Sequence, residues 1–380
     1  MSEVNYIPVG WEETTLEAVA EIKYGKDHKH LNEGNIPCLG SGGFMRNVDQ
    51  ILYDKPSVLI PRKGTISNLF FIEQPFWTVD TLFYTKIDES KIIPKYLYFK
   101  LKTINLENLN VGSAVPSLTT AVLNQLTIDI PKNINEQESI ASILTSFDNK
   151  IELLEAQNKT LEETAQTIFA EWFNKYKNGD ELPEGWQIDS LEKIANHSKT
   201  SIKPFDNPDA EYYHYSLPSY DNGLIPIIEK GDMIKSNKYL VENNSFLVSK
   251  LNPFTPRIWT IFDAQQNFIC STEFQVVKPK EELYFSLIHC FLNSDEFTSE
   301  LSQKIKGTSS SHQRVNPQDI FDVELVIPSE NDLINFNSAI YPLLAKKNIN
   351  HKQIQTLSQT RDELLPRLMT GEIRVNEFKV

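Results

Sequence analysis

The chain contains an internal repeat, and this repeat limits the folds that are open to it. Residues 7–19 and 182–194 share a proline, a Gly-Trp pair and two aliphatic residues at identical spacings, so that Pro8-x-Gly10-Trp11 returns as Pro183-x-Gly185-Trp186. Further matches follow in the same order: Ser57–Arg62 with Ser245–Lys250, Thr78–Phe83 with Cys270–Gln275, Gly112-Ser113 with Gly307-Thr308, and the proline-ending strands Leu126–Pro131 with Phe321–Pro328. The sequence therefore predicts two similar globular domains.

A long helical segment follows each copy of the repeat. In the first segment apolar or small residues alternate at spacings of four and three, which is typical of a coiled-coil seam: Ile140, Leu144, Phe147, Ile151, Leu154, Asn158, Leu161, Ala165, Ile168 and Trp172. The second seam is weaker and includes Ile354, Leu357, Leu364 and Leu368. Burial of either stripe against its own domain is the alternative. Asn158 is a polar exception that can fix the register of paired helices.

These observations predict an α+β fold in four segments. The globular parts contain short β-branched and aromatic runs broken by Gly, Pro and Asn, which is typical of strand-rich domains. We expect a first domain over residues 1–131, a central spacer helix over 132–181, a second domain over 182–328 and a C-terminal spacer helix over 329–380.

Composition points to a soluble cytoplasmic protein and sets a constraint on DNA binding. The three cysteines form no CxxC pair, the start of the chain does not resemble a signal peptide, and no apolar run is long enough to span a membrane. The net charge is −14, whereas a protein that wraps DNA phosphates usually has a basic surplus. Any DNA contact must therefore use local basic clusters, or a partner must supply the phosphate contacts.

Motifs for catalysis are weak. Asn252-Pro253-Phe254 only partly matches the motif of amino-methyltransferases, and no glycine-rich cofactor loop accompanies it. His28-x-His30 lacks further metal ligands at useful spacing, so an exposed polar loop is the better interpretation. We expect a chain that is not an enzyme and binds no cofactor or metal itself.

Local basic clusters are the candidates for DNA contact. Lysines suit phosphates, while Arg and Gln side chains can donate to base edges. In the first domain the candidates are Lys23, Lys26, Lys29, His30, Arg46, Arg62 and Lys63. In the second they are Lys199, Lys250, Arg257, Lys306, Thr308, Ser309, His312, Gln313 and Arg314. A solvated hairpin over 23–30 and a flexible linker over 304–314 are the alternatives. Because the matching loop Gly112–Ser117 is not basic, we expect the domains to read different sequences.

The repeat layout and the end of the chain resemble one family. The helix contains Phe147-Asp148-x-Lys150-Ile151-Glu152-Leu153, and the chain closes with Arg361-Asp362-Glu363-Leu364-Leu365-Pro366-Arg367-Leu368-Met369-Thr370-Gly371-Glu372-Ile373-Arg374-Val375. Over essentially its whole length the chain resembles the specificity (S, HsdS) subunits of type I restriction-modification systems.

The resemblance implies a function, a set of partners and a helix arrangement. Two target-recognition domains would each read one half of an asymmetric bipartite site in double-stranded DNA. The two helices would pack antiparallel, set the spacing and dock two modification (methyltransferase) subunits, with two restriction (translocase/nuclease) subunits optional. S-adenosylmethionine, Mg and ATP would bind only in those partners. A self-contained DNA methyltransferase or nuclease, or a scaffold that does not bind DNA, are the alternatives.

Overall fold

The computed structural model describes residues 7–112, 115–177, 180–305 and 313–375. Contacts divide the chain into two compact units, one formed by Met1–Leu153 with Ile354–Val380 and the other by Leu154–Gln353. Each unit has its own hydrophobic core.

The first unit is built on a four-stranded antiparallel sheet with the strand order β2-β8-β5-β6. The same unit contains a three-stranded sheet of order β4-β3-β7 and a two-stranded sheet in which β1 pairs with β9. The elements are β1 (Trp11–Thr15), α1 (Leu16–Val19), β2 (Ala20–Tyr24), β3 (Ile36–Gly40), β4 (Gly43–Val48), β5 (Ser57–Pro61), β6 (Phe70–Ile72), β7 (Trp77–Thr78), β8 (Leu82–Ile87), α2 (Pro94–Lys102), a 3-10 turn (Leu106–Leu109), α3 (Thr120–Asn124), β9 (Thr127–Pro131) and the start of α4 (Ile134–Lys177).

The second unit has a four-stranded sheet of the same kind, but its other large sheet has five strands where the first unit has three. Its four-stranded antiparallel sheet has the order β11-β19-β16-β17, its five-stranded sheet the order β12-β15-β18-β13-β14, and β10 pairs with β20. The elements are β10 (Gln187–Ser190), β11 (Ala195–Ser198), β12 (Ser201–Ile202), β13 (Glu211–Tyr215), α5 (Leu217–Asp221), β14 (Ile227–Lys230), β15 (Lys238–Leu240), β16 (Ser245–Ser249), β17 (Ile258–Ile261), β18 (Phe268–Cys270), β19 (Phe274–Pro279), α6 (Phe285–Leu292), α7 (Asp295–Gln303), α8 (Pro317–Phe321), β20 (Glu324–Ile327) and α9 (Glu330–Met369), with 3-10 turns at Leu191–Lys193, Pro204–Asp206, Gly231–Met233 and Glu282–Tyr284.

The matched sequence segments occupy matched places in the two units. Ser57–Pro61 and Ser245–Ser249 form β5 and β16, the inner strands in which every residue is buried. Both strands are flanked by antiparallel neighbours, β8 and β6 in one unit and β19 and β17 in the other. The predicted α+β fold with two strand-rich domains is thus confirmed.

The Pro-x-Gly-Trp motif forms a turn that fastens each unit to the start of a long helix. The backbone N–H of the tryptophan donates to the proline carbonyl, at 3.0 Å for Trp11 and 3.1 Å for Trp186. The glycine between them has a positive φ, +85° at Gly10 and +78° at Gly185, as a type II turn requires. Each indole N–H then reaches an acidic side chain in the first turn of the next helix, Glu136 at 3.3 Å and Asp332 at 2.8 Å.

In the first unit, the beginning of α4 and the end of α9 share one core. Ile140 and Leu144 cluster with Leu368 and Met369. Lys100 is buried, and its ammonium group donates to the carbonyl of Met369 at 2.8 Å, where the helix leaves carbonyls without helical partners. Burial lowers the pKa of Lys100.

In the second unit, polar contacts join the later part of α4 to the beginning of α9. Asn350 donates to the side-chain carbonyl of Asn158 at 2.9 Å, and Lys347 contacts Glu162 at 2.7 Å. Residue numbers therefore rise along one helix as they fall along the other, which is the antiparallel arrangement. Burial alone would raise the pKa of Glu162, but the hydrogen bond and charge of His289, followed by Lys347, hold this pKa well below its usual range.

Most of the predicted seam positions are removed from solvent. Seven are buried, namely Ile140, Leu144, Ile151, Leu154, Asn158, Ala165 and Leu368. Seven are half-buried, namely Phe147, Leu161, Ile168, Trp172, Ile354, Leu357 and Leu364. Toward the end of α4, Phe169 and Phe173 are also buried, and with Ala165 they belong to the core of the second unit. This end of α4 therefore packs in the second unit and not on the domain that it follows in sequence, which is the packing that the alternative interpretation named.

Candidate nucleic-acid interface

In the first unit, several strand ends meet at one edge of the four-stranded sheet. β2 ends at Tyr24, which pairs with Phe83 in β8, and β5 ends at Pro61, which pairs with Leu82. The backbone N–H of Arg62 donates to the carbonyl of Thr81 at 2.8 Å. We call residues 24–26, 62–65 and 78–82 the basic edge of the first unit.

A second segment closes over this edge. The N–H of Leu118 donates to the carbonyl of Arg62 at 3.0 Å, and the N–H of Gly64 donates to the carbonyl of Pro116 at 3.1 Å. The structure thereby brings the residues after β5 into contact with the end of the small-residue loop that the repeat identified. Lys63 and Thr65 remain exposed between them.

The side chain of Arg62 is held in place by its neighbours. Its Nη1 donates to the carbonyl of Asp80 at 3.2 Å, and its guanidinium group lies 5.3 Å from the centre of the Tyr24 ring. Tyr24 is 49% exposed and makes an edge contact with Phe83. An arginine stacked on an aromatic ring keeps several N–H groups free to donate, and it loses little further side-chain freedom on binding.

The second unit builds its corresponding edge with the same backbone hydrogen bonds. The N–H of Lys250 donates to the carbonyl of Glu273 at 3.0 Å, and the N–H of Val315 donates to the carbonyl of Lys250 at 3.1 Å. The Lys250 ammonium group donates to the carbonyl of Thr272 at 3.0 Å, which is the place that Asp80 has in the first unit. We call residues 199, 250–252, 257, 271–275 and 313–315 the basic edge of the second unit.

The remaining candidates at this second edge differ in their exposure and in the contacts that they already make. Lys199 is exposed and follows Ser198, which pairs with Val276. Arg257 precedes β17 but forms a two-pronged ion pair with Asp221 at 2.7 and 2.9 Å. Arg314 is exposed and 3.5 Å from Glu273, and the carbonyl of Gln313 accepts from the N–H of Asn252 at 3.1 Å. Lys306, Thr308, Ser309 and His312 lie outside the described residues.

The other candidates of the first unit lie in and around the segment between β2 and β3, except Arg46, which lies in β4 and reaches this segment with its side chain. Arg46 uses its guanidinium group internally, since it donates to the carbonyls of His28 at 2.6 Å and Leu31 at 3.0 Å. His30 contacts the edge of Trp77, while Lys26 and Lys29 are exposed. Lys23 forms an ion pair with Glu21. The geometry makes Arg46 a support for this loop, whereas the side chains of Lys26 and Lys29 are exposed and form no ion pair with any residue that the structure describes.

Comparison with known proteins gives one consistent match. The model of the type I restriction modification DNA specificity domain family matches residues 8–163 and again residues 183–359. Two copies of one family domain therefore cover most of the chain, in the positions of the repeat.

The chain belongs to the family of type I specificity subunits.

Two relatives and one solved structure agree with this membership. The chain is 27% identical to the type I restriction enzyme MjaIX specificity subunit of Methanocaldococcus jannaschii, over 99% of this chain and 96% of that protein. It is 21% identical to the MjaVIII specificity subunit of the same organism, over 92% and 81%. The S subunit structure from M. genitalium shares its fold, with a TM-score of 0.67 at 16% identity over 97% of this chain and 98% of that one.

Membership confirms the resemblance inferred from the sequence and with it the interpretation as a non-catalytic specificity subunit. Within the described ranges no three His, Cys, Asp or Glu side chains are grouped to hold a metal ion. Among those same residues, no helix is both long and apolar enough to cross a membrane.

Two side chains in the basic edges of this specificity subunit were not among the candidates predicted from the sequence. Tyr24 supports Arg62, and Glu273 lies between Lys250 and Arg314. The match of Thr78–Phe83 with Cys270–Gln275 was the available signal for Glu273, because it aligns Thr81 with this carboxylate.

Proposed function

We propose that each domain of this specificity subunit reads one half of a bipartite DNA site with its basic edge. The observation that supports this most strongly is the duplicated scaffold. Arg62 and Lys250 follow matched strands, and each is tied to a matched carbonyl, Asp80 at 3.2 Å and Thr272 at 3.0 Å. A basic side chain fixed at a sheet edge can donate to guanine O6 and N7 or to a phosphate.

The two edges differ in charge and shape, so the two half-sites should differ in sequence. Arg62 stacks on Tyr24, whereas Lys250 shares its surroundings with Glu273 and Arg314. The site is then asymmetric, with two short specified blocks separated by a fixed number of unspecified base pairs.

The partners follow from family membership and from the charge of the chain. We propose that α4 and α9 dock two modification subunits and that two restriction subunits can join the complex. With a net charge of −14, the chain depends on these partners for much of the phosphate contact. S-adenosylmethionine, Mg and ATP would bind in the partners, and the complex would act in the cytoplasm.

The domain assignment is tested with one substitution at each basic edge. The full chain with its modification subunit methylates a random-sequence library, and the methylated motif is determined for wild type, Arg62→Ala and Lys250→Ala. We expect relaxed preference in one half of the motif for Arg62→Ala and in the other half for Lys250→Ala, by roughly 5- to 100-fold at the affected base pair. Lys55→Ala, at an exposed lysine outside both basic edges and both long helices, is the matched control and should leave the motif intact.

Two results would contradict the proposal. One is that both edge variants change the same half, and the other is that neither changes the motif. Methylation by the purified chain without its partner would support a self-contained methyltransferase instead.

A further inference from the structure

The two basic edges share their backbone but differ at one position beside the anchored cation. The carbonyl of Thr81 accepts from the N–H of Arg62, and the carbonyl of Glu273 accepts from the N–H of Lys250. Thr81 and Glu273 therefore occupy the same place in their domains. In the first domain the Thr81 hydroxyl group accepts from the N–H of Ser41 at 3.3 Å and is used internally.

The Glu273 carboxylate is surrounded by cations without being saturated by them. Its Oε1 lies 3.5 Å from Nη2 of Arg314, and its Oε2 lies 3.9 Å from Nζ of Lys250. A strong bond between such groups is shorter, at about 2.7–2.9 Å. Among the residues that the structure describes, Oε2 is buried and has no hydrogen-bond partner, while the side chain as a whole is 27% exposed.

A carboxylate at this place restricts what the edge can contact. A phosphate would be repelled by Glu273, so this part of the edge is poorly suited to the DNA backbone. The groups of DNA that can donate to a carboxylate are base amino groups, and in the major groove these are N4 of cytosine and N6 of adenine. A half-buried acceptor with free capacity is therefore matched to a base edge.

The neighbouring cations complete a recognisable pattern. Arg314 is 51% exposed at its side chain and keeps donors available, while Lys250 already donates to the carbonyl of Thr272. An acceptor beside a fork of donors complements a C·G pair, which presents the cytosine amino group next to guanine O6 and N7 in the major groove. Arginine on guanine is also the commonest specific contact of this type.

On the basis of the proposed function, we propose that Glu273 is a specificity-determining residue of the second domain. Its carboxylate accepts a hydrogen bond from N4 of a cytosine in the half-site of that domain, and Arg314 donates to the guanine of the same or the next base pair. The first domain has Thr81 at this place and reads its half-site without this contact.

The test compares motifs in the complex of the full chain with its modification subunit. Lys250→Ala first identifies the half read by the second domain, and that half should contain a C·G pair. Glu273→Gln should reduce discrimination at that one pair by roughly 10-fold and leave the other half unchanged. Glu281→Gln, an exposed acid outside the edge, is the matched control. The intact other half also reports that the variant complex has folded and assembled.

A change in the DNA provides the second measurement and does not depend on the variant folding. A duplex whose cytosine lacks the 4-amino group at that pair should bind the wild-type complex roughly 10-fold more weakly. The same duplex should cause no additional loss with Glu273→Ala, whose side chain has no acceptor for the amino group.

The inference alone is overturned if Glu273→Gln keeps the motif, weakens all sequences equally, or changes an A·T pair. It is also overturned if removal of the amino group has no effect on the wild-type complex. A wild-type complex without any bipartite motif would overturn the proposed function, and the inference with it.

Discussion

At the scale of single residues, the repeated tryptophans show why one short motif occurs twice. Each follows a turn that needs glycine, and each indole donates to an acidic side chain at the start of a long helix. The hydrogen bonds of Ser329 and then of Trp186 lower the pKa of Asp332. The motif is thus a structural joint between each domain and a long helix.

The pH dependence of the stability of Trp186→Phe should distinguish the loss of this hydrogen bond from a loss of packing. A carboxyl group whose pKa is lowered by folding stabilises the protein above its unfolded value, about 3.9, and this contribution is lost as the pH falls through the folded pKa. We expect the substitution to lower the free energy of unfolding more at pH 7 than near pH 3, where the unfolded carboxyl group is largely protonated and part of this contribution is already lost. Chemical denaturation at the two pH values measures the difference.

Asp332→Asn is the control for this prediction, because it removes the titrating group. In that background the loss caused by Trp186→Phe should be the same at both pH values. An equal loss at both pH values in the wild-type background would show that only packing had changed.

The positions of the edge residues could be predicted from the sequence, but their partners could not. Aligned repeats place Arg62 and Lys250 after matched strands, because a duplicated pattern of buried residues folds into a duplicated strand. The contacts of Arg62 with Tyr24 and of Lys250 with Glu273 join segments far apart in sequence, and only the pairing of β2, β5 and β8, or of β16 and β19, brings them together. Arg46 shows the reverse case, since a basic residue suited to DNA is used to hold a loop.

At the scale of elements, the spacing of apolar residues predicts the long helices well and their buried face only in part. α4 spans 44 residues and α9 spans 40. Spacing identifies Ile151 and Leu154 as covered, but Ile168 is half-buried while Phe169 is buried. A straight helix has 3.6 residues per turn and drifts from a heptad seam, so the domain core decides which side chains are covered at that end.

The buried pair Asn158 and Asn350 should be strongly coupled. Asn158 is 6% exposed and Asn350 is 0% exposed. Replacing either one by Leu therefore leaves the other amide group buried without this partner. Each single change should lower the free energy of unfolding by about 1–3 kcal/mol. The double change to Leu should recover most of this loss, because no unsatisfied amide of the pair remains. Denaturant titrations of the four proteins give the coupling energy.

Asn149→Leu is the matched control, since Asn149 is exposed on α4. It should change stability by less than about 0.5 kcal/mol. Additive losses in the double variant would contradict a direct interaction between the two amides.

At the scale of the whole molecule, duplication explains the architecture. The same sheet order appears in β2-β8-β5-β6 and β11-β19-β16-β17, so the chain is two versions of one domain on two long helices. With a net charge of −14 the surface cannot be uniformly basic, so in the proposed function DNA contact is confined to restricted edges and to partner subunits. The charge of the sequence predicts this division, whereas in the proposed function the bases read would depend on a few side chains that differ between the two copies.

The most direct test of the account changes the length of the paired helices and reads the spacing of the DNA site. Removing one heptad from each helix, residues 151–157 with 351–357, shortens both by about 10 Å, or about three base pairs. The complex of the full chain with its modification subunit is then used to map methylation on random-sequence DNA. We predict the same two specified blocks with a shorter spacer, or loss of binding, whereas the same blocks at the wild-type spacing would contradict the account.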